Sequence, residues 1–344
     1  MKKTLLLLVA IALTSAKMMA EGLTATLQQG ETMTAFYGVN AFVDAYNAAE
    51  DGAVITLSEG AFNYVSSIEK SITVIGNMAF DVEGYEKTFL TGTIVNADNV
   101  TLEGIYFTAR VALGNINNCH IKRCRIDSEL LAVSNTVHTN TLIDQCVIYC
   151  ENAMPTSRNY CLKNSTISYF ASSSSSEHIA YITNCYIRYF AQYRNSSYYQ
   201  PYAIYKNCVL GMDTYNSSTS GGTYLYSPSE FYNNYFYRIT SYRNISDYTN
   251  NTYKESFWDG CLNNGNTNSG DKSVYVRPYI GNYIINSFNQ IGDDGTPVGI
   301  TGGSGFSPYP SIPRITSKQI DSKTDSEGKL NVKITVSTEE TLVK

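Results

Sequence analysis

A four-residue phrase recurs through the middle of the chain and limits its fold more than any other feature. A turn residue is followed by a small or thiol residue, then by any residue, then by an aliphatic or aromatic one. It reads Arg123-Cys124-Arg125-Ile126, Gln145-Cys146-Val147-Ile148, Asn164-Ser165-Thr166-Ile167, Asn184-Cys185-Tyr186-Ile187, Asn207-Cys208-Val209-Leu210 and Asn233-Asn234-Tyr235-Phe236, with Glu103-Gly104-Ile105-Tyr106 as a degenerate earlier copy. Counted at the second position, successive copies lie 20, 22, 19, 20, 23 and 26 residues apart. A period near twenty is one coil of a β-solenoid, in which each strand stacks on its equivalent in the next coil at about 4.8 Å and like positions form columns. The expectation is an all-β fold, a single-stranded right-handed parallel β-helix from about Ile55 to Tyr253.

Period-two alternation assigns the faces. The second and fourth positions of the phrase point inward, stacking Cys124, Cys146, Ser165, Cys185 and Cys208 beside Ile126, Ile148, Ile167, Ile187 and Leu210. The third points outward, as the column Arg125, Val147, Thr166, Tyr186, Val209 and Tyr235. The Asn that opens four consecutive copies tolerates left-handed backbone, so its column suits a bend between strands, with its amide bonding the next coil. The stacked cysteines are expected to be buried thiols that pack as small hydrophobes. Cys150 and Cys161 are the pair to test for a disulfide, and a zinc site is disfavoured by the lack of CxxC spacing and by only three His.

The ends differ from the repeat. Residues 1–20 read as a signal peptide, with Lys2 and Lys3 ahead of the apolar stretch Leu5 to Leu13 and small Ala20 at a cleavage position. The solenoid and its cap are assigned to 21–300. Within them, Asn40 to Gly52 reads as a helix with Asn40 at the N-cap and Phe42, Tyr46 and Ala49 on the face that closes the open end of the coils. Ala53 to Leu57, Phe62 to Val65 and Ser71 to Ile75 read as the first strands, and late coils are placed in Val274 to Asn289. Residues 301–344 form a C-terminal unit: a Pro/Gly-rich crossing segment, then a β-tail in which Leu330, Val332, Ile334 and Val336 alternate. No run after the leader is long and apolar enough for a membrane-spanning helix.

The formal charge of −5 and the scattered basic residues exclude a nucleic-acid partner, which requires a concentrated Lys/Arg surface. His120, His138 and His178 sit in no catalytic motif, and nothing in the chain demands a cofactor. A glycosidase needs two carboxylates about 5 to 9 Å apart; Asp127 with Glu129 or Asp144 is the nearest candidate, although these acids can equally pair with Lys122, Arg123 and Arg125. The outward column after the phrase runs Asp127, Tyr149, Ser168, Arg188, Gly211 and Tyr237, one carboxylate rather than a calcium-binding cluster. Aromatic residues give the stronger signal. Seventeen of the 29 Tyr fall between Tyr181 and Tyr253, more than the inward positions of those coils can hold. An exposed Tyr offers a flat apolar face and a hydroxyl, which suits a sugar ring. Tyr186, Arg188, Arg194, Tyr198, Tyr199, Tyr202, Tyr235 and Tyr237 are the candidate ligand-binding residues, against the plainer reading that these Tyr stabilise strand pairs and loops.

Two segments carry a family resemblance. Ala41-Phe42-Val43-Asp44-Ala45-Tyr46-Asn47-Ala48-Ala49, followed by Asp51 to Leu57 and Lys70 to Gly76, resembles the entry of pectin-lyase-like β-helices. Asp294 to Ile300, Gly302-Gly303 and Pro310 to Ile315 resemble the closing segment of exported β-helix proteins of Bacteroides-type gut bacteria. The resemblance implies a right-handed β-helix at the cell surface or outside the cell that meets glycans. That fold hosts lyases, hydrolases, esterases and adhesins alike, so activity has to be read from the site. Three readings follow: a non-catalytic glycan-binding or adhesive protein with a Tyr-rich outer face, a polysaccharide lyase or glycoside hydrolase, and a structural module of a larger surface assembly.

Overall fold

A computed structural model describes residues 22–133, 136–153, 157–158, 160–172, 180–189, 203–211, 230–237, 262–263, 291–311, 314–320 and 332–337. The expected late coils at Val274 to Asn289 and most of the Tyr-rich loops lie outside these residues. The described chain is a right-handed parallel β-helix whose strands stack into an eleven-stranded and a thirteen-stranded sheet, with a three-stranded sheet beside them. Each coil contributes one strand to the first sheet, turns through a single left-handed residue, and enters the second. Thus 120–122 pairs with 142–144, which pairs with 160–163, while 125–132 pairs with 147–153, which pairs with 166–172.

The bend explains the phrase. Arg123, Gln145, Asn164, Asn184, Asn207 and Asn233 all have φ between 43 and 54°, a conformation that Asn adopts at low cost and larger residues only under tertiary constraint. Gly104, at φ 67°, occupies the same corner one coil earlier. Tyr106 is in register with Arg125 and Phe107 with Ile126. The degenerate copy is therefore displaced by one residue from the alignment read in the sequence, with Gly104 at the first position and not the second.

The bend also changes the meaning of the cysteines. Past the corner, the second residue's amide turns into the apolar interior, where an unpaired N–H is costly. The side chain one coil further on receives it: Cys124 N–H donates to Cys146 Sγ at 3.4 Å, Cys146 N–H to Ser165 Oγ at 2.9 Å, Cys185 N–H to Cys208 Sγ at 3.5 Å, and Cys208 N–H to Asn234 Oδ1 at 2.8 Å. Each thiol in turn donates to carbonyls, as Cys146 does to Ile121 O and Asp144 O. The column is a hydrogen-bond relay, more than the hydrophobic packing expected of it, and Ser165 and Asn234 fit because each offers both an acceptor and a donor. Cys161 is a free thiol on the first sheet, so it forms no bridge with Cys150.

The first coil is closed by an antiparallel hairpin, Thr24–Gln29 with Thr32–Tyr37, that the sequence reading passed over, and by helix α1, Ala41–Ala48. Thr24–Gln29 pairs antiparallel with Val54–Leu57 and so ends the parallel stack. Phe42, Ala45 and Tyr46 of α1 are buried in the main core with Ile55 and Leu57. The helix stops at Ala48, short of Gly52, where Ala49 turns extended at φ −70° and ψ 148°, and Lys70 Nζ caps the end at 2.8 Å from both Tyr46 O and Ala49 O. Asn40 does precede the helix but makes no side-chain cap; its Oδ1 accepts a 2.6 Å bond from Asn63 Nδ2. Phe62 to Val65 is not a strand, and the short strands there are Gly60–Ala61 and Ser67–Ile68.

Residues 291–311 form an irregular strap of turns and bends that runs back along the corner from the later coils to the earlier ones. Asp293 binds Lys206 Nζ at 2.6 Å and Asn207 Nδ2 at 3.0 Å. Asn164 Nδ2 donates to Ile300 O and Gly302 O, and Ser307 N–H donates to Gln145 Oε1 at 2.9 Å. Ser311 ends on Glu103, its N–H at 2.7 Å and its hydroxyl at 2.8 Å from the same oxygen. The amides of Asn164 and Asn207 thus bind the strap, where the sequence had suggested the neighbouring coil. Beneath it lies a second apolar cluster in which Val298, Ile300 and Phe306 cover Phe80, Val147, Tyr186 and Val209. The tail strands Arg314–Ile320 and Val332–Ser337 pair antiparallel with each other and, among the described residues, form a separate two-stranded sheet.

Candidate functional site

The strap divides the outward column of the second sheet. Tyr186 points out of the solenoid as alternation predicts, yet it is only 6% exposed because Val298 and its neighbours lie over it. It has no ring face to offer a ligand, and its place among the candidate binding residues is corrected accordingly. Earlier coils keep this surface more open. Parallel register sets Phe89, Tyr106 and Arg125 side by side on the outer face, with Leu90, Phe107 and Ile126 behind them in the core.

Around these residues gathers a polar cluster. Arg125 forms a two-pronged pair with Asp127, Nε to Oδ1 at 2.7 Å and a terminal nitrogen to Oδ2 at 3.1 Å. Its guanidinium lies 4.5 Å above the Tyr106 ring and 3.6 Å from Asp81, which also binds Lys87. The Tyr106 hydroxyl donates to Asp127. Burial and that carboxylate together push the phenol up to about 12, so it remains a donor throughout the physiological range. Phe89 packs against Tyr106 at 5.0 Å, and Tyr85 meets Tyr309 of the strap edge-on at 5.7 Å. In the next column, beyond Asp127, Tyr149 is 46% exposed.

Of the alternative acids, Asp127 and Asp144 stand on different sheets, while Glu129 shares the strand of Asp127. Asp127 lies on the second sheet and Glu129 follows a register shift, paired with Cys150. Asp144 lies on the first sheet in register with Lys122 and Lys163. Burial raises the Asp144 carboxyl and lowers the neighbouring His120 imidazole, while the charge of each partly opposes the shift in the other. Asp144 Oδ1 and His120 Nε2 are buried with no hydrogen-bond partner among the described residues. No three His, Cys, Asp or Glu among the described residues converge as a metal site. Burial pushes the Cys119 and Cys124 thiols up to about 12, which removes them as nucleophiles.

Of the remaining Tyr/Arg candidates, Arg188, Tyr235 and Tyr237 fall on second-sheet strands, Tyr235 in register with Val209 and Tyr237 with Gly211. Arg194, Tyr198, Tyr199 and Tyr202 lie outside the described residues. Asp81, Lys87 and Phe89 escaped the sequence reading because they precede the first recognisable phrase. Tyr106 escaped it through the one-residue displacement at Gly104; with Gly104 at the corner, it falls in the Arg125 column. A comparison with protein-family models, curated proteins and solved structures finds no match.

Proposed function

We infer that this is an exported, pectin-lyase-like β-helix that binds glycans without cleaving them, through the outer face of its second sheet. The observation that carries this reading is the stripe formed by Phe89, Tyr106, Arg125 and Asp127 with exposed Tyr149 in the adjacent column. Aromatic faces suit the C–H faces of sugar rings, and a guanidinium with a carboxylate recognises hydroxyl or uronate groups. Arg188 and Tyr237 continue the Asp127–Tyr149 column along the chain, so a long polymer would follow the solenoid axis. The signal peptide read at residues 1–20 accords with a ligand outside the cell. A glycan array with the mature protein tests the reading, repeated with Tyr149→Ala, with Arg125→Gln, and with Tyr198, Tyr199 and Tyr202 all changed to Ala. Loss of signal in the first two variants is expected; unchanged binding in both removes this stripe as the site.

One observation favours an enzyme as the second reading. Arg125 holds two carboxylates, Asp81 and Asp127, with Lys87 beside the first, which gathers acids and bases in one place. A polysaccharide lyase or hydrolase would release unsaturated or reducing ends from a uronate polymer, and Asp127→Asn would abolish that release.

A further inference from the structure

Among the described residues, the N-terminal end of the solenoid carries an open sheet edge. Thr32–Tyr37 is, among these residues, the outermost strand of the eleven-stranded sheet and pairs on one side only. Gly38 N–H donates to Leu23 O at 2.8 Å. Antiparallel alternation then turns Phe36, Thr34 and Thr32 toward the paired strand and leaves the amides of Met33, Ala35 and Tyr37 on the open side. Open edges are ordinarily blunted with Lys, Pro or a bulge; residues 32–37 contain no charge and no Pro. Met33 is 67%, Tyr37 52% and Val39 55% exposed, and Tyr64, 47% exposed, adjoins them through the Asn63 N–H bond to Val39 O. The surroundings are acidic on balance: residues 22–70 contain Glu31, Asp44, Glu50, Asp51, Glu59 and Glu69 against one base, Lys70, which is held on the end of α1.

The tail has the complementary character. Its two strands pair only with each other among the described residues, and a lone two-stranded hairpin is marginal in water unless another surface completes it. Those strands carry Arg314, Lys318 and Lys333 and no acid. We propose that the C-terminal hairpin of one copy adds as a β-strand to the Thr32–Tyr37 edge of a second copy, joining molecules head to tail. Edge-to-edge pairing of two N-terminal ends would bring two predominantly acidic surfaces together, whereas the strands of the hairpin supply basic side chains. The contact is heterologous, so it propagates into open chains or closes into a ring.

Sedimentation velocity of the mature chain tests this over a concentration series. Two full-length variants are compared with it: Ala35→Pro, which removes an outward amide without touching the internal ladder, and Lys318→Glu/Lys333→Glu, which reverses the charge of the hairpin. The expected result is concentration-dependent oligomers for the parent, weakening with salt, and a monomer for each variant alone. Mixing the variants restores one competent edge and one competent hairpin, so a 1:1 dimer and nothing larger is expected. Met33→Lys, at an exposed site, replaces Ala35→Pro should the proline variant fail to fold. A parent that stays monomeric throughout overturns the proposal, as does a mixture that stays monomeric. Dimerisation of Lys318→Glu/Lys333→Glu alone would show edge-to-edge pairing in its place.

Discussion

At the scale of single residues, the position after each bend asks for a hydrogen-bonding side chain of small volume, and hydrophobicity is secondary. Cys146 accepts from Cys124 N–H and donates to two carbonyls. Cys146→Ser keeps both functions, while Cys146→Val keeps apolar volume and orphans a buried amide at about 1–3 kcal/mol. Denaturant titration should therefore rank the parent first, Ser second and Val last, the reverse of a hydrophobicity ranking of the two variants. The recurrence of Cys, Ser and Asn at this position was visible in the sequence, but its reason was not, because the direction of the amide depends on the left-handed residue before it. The outer face of the first sheet offers a pH test. Burial holds the His120 imidazole below its ordinary 6.5 against the opposing influence of Asp144. Its contribution to stability is present in full above pH 6.5 and is lost as the pH falls through the lower folded value. His120→Gln should flatten that part of the stability profile, measured by thermal melts of parent and variant from about one pH unit above the ordinary imidazole value to about 1.5 units below it.

At the scale of elements, the coils were legible and the strap was not. A strand-bend-strand repeat declares itself by period, since every coil solves the same packing problem with the same residues at the same places. The segment 291–311 has no period, because its contacts are made to different coil corners; in sequence its second half reads as a Pro/Gly-rich crossing segment and residues 291–300 as the end of the solenoid. The candidate stripe was half legible for the same reason: Asp127 and Arg125 stand inside the repeat, while Asp81 and Lys87 come from an irregular excursion before it. Asn164 shows how the two elements interlock. It holds a bend at φ 43°, donates to Ile300 O and Gly302 O, and accepts from Ser304 Oγ at 3.1 Å. Asn164→Gly preserves the bend and removes the bonds, costing about 1–3 kcal/mol. Asn164→Ala removes the same bonds and adds about 1–2 kcal/mol of left-handed strain. Equilibrium unfolding that finds the two variants equal would show that the bend is not held in this conformation.

For the whole molecule, the strap changes how the solenoid comes apart. In a bare solenoid each coil contacts only its neighbours, so stability is a sum of local terms and one end can unravel while the other stays folded. Here one covalent segment is fastened to the coil of Asn207 at its start and to the coil of Glu103 at its end. The lower fastening is a buried ion pair, Arg123 to Glu103 at 2.9 Å, with Ser311 held on the same carboxylate oxygen. Loss of an outer coil therefore also releases the apolar cluster that covers Val147, Tyr186 and Val209, which couples distant coils. Gly302 is the place to cut that coupling without altering a coil, because a Cβ there would collide with Pro297 O and with the Asn184 side chain. Gly302→Val should lift the strap from the corner. Hydrogen exchange should then accelerate at 203–211 while 101–107 keeps its protection, and a thermal transition that is single in the parent should broaden or split. Uniform acceleration across both segments would mean that the coils are coupled through their stacked sheets alone, with the strap a passive cover.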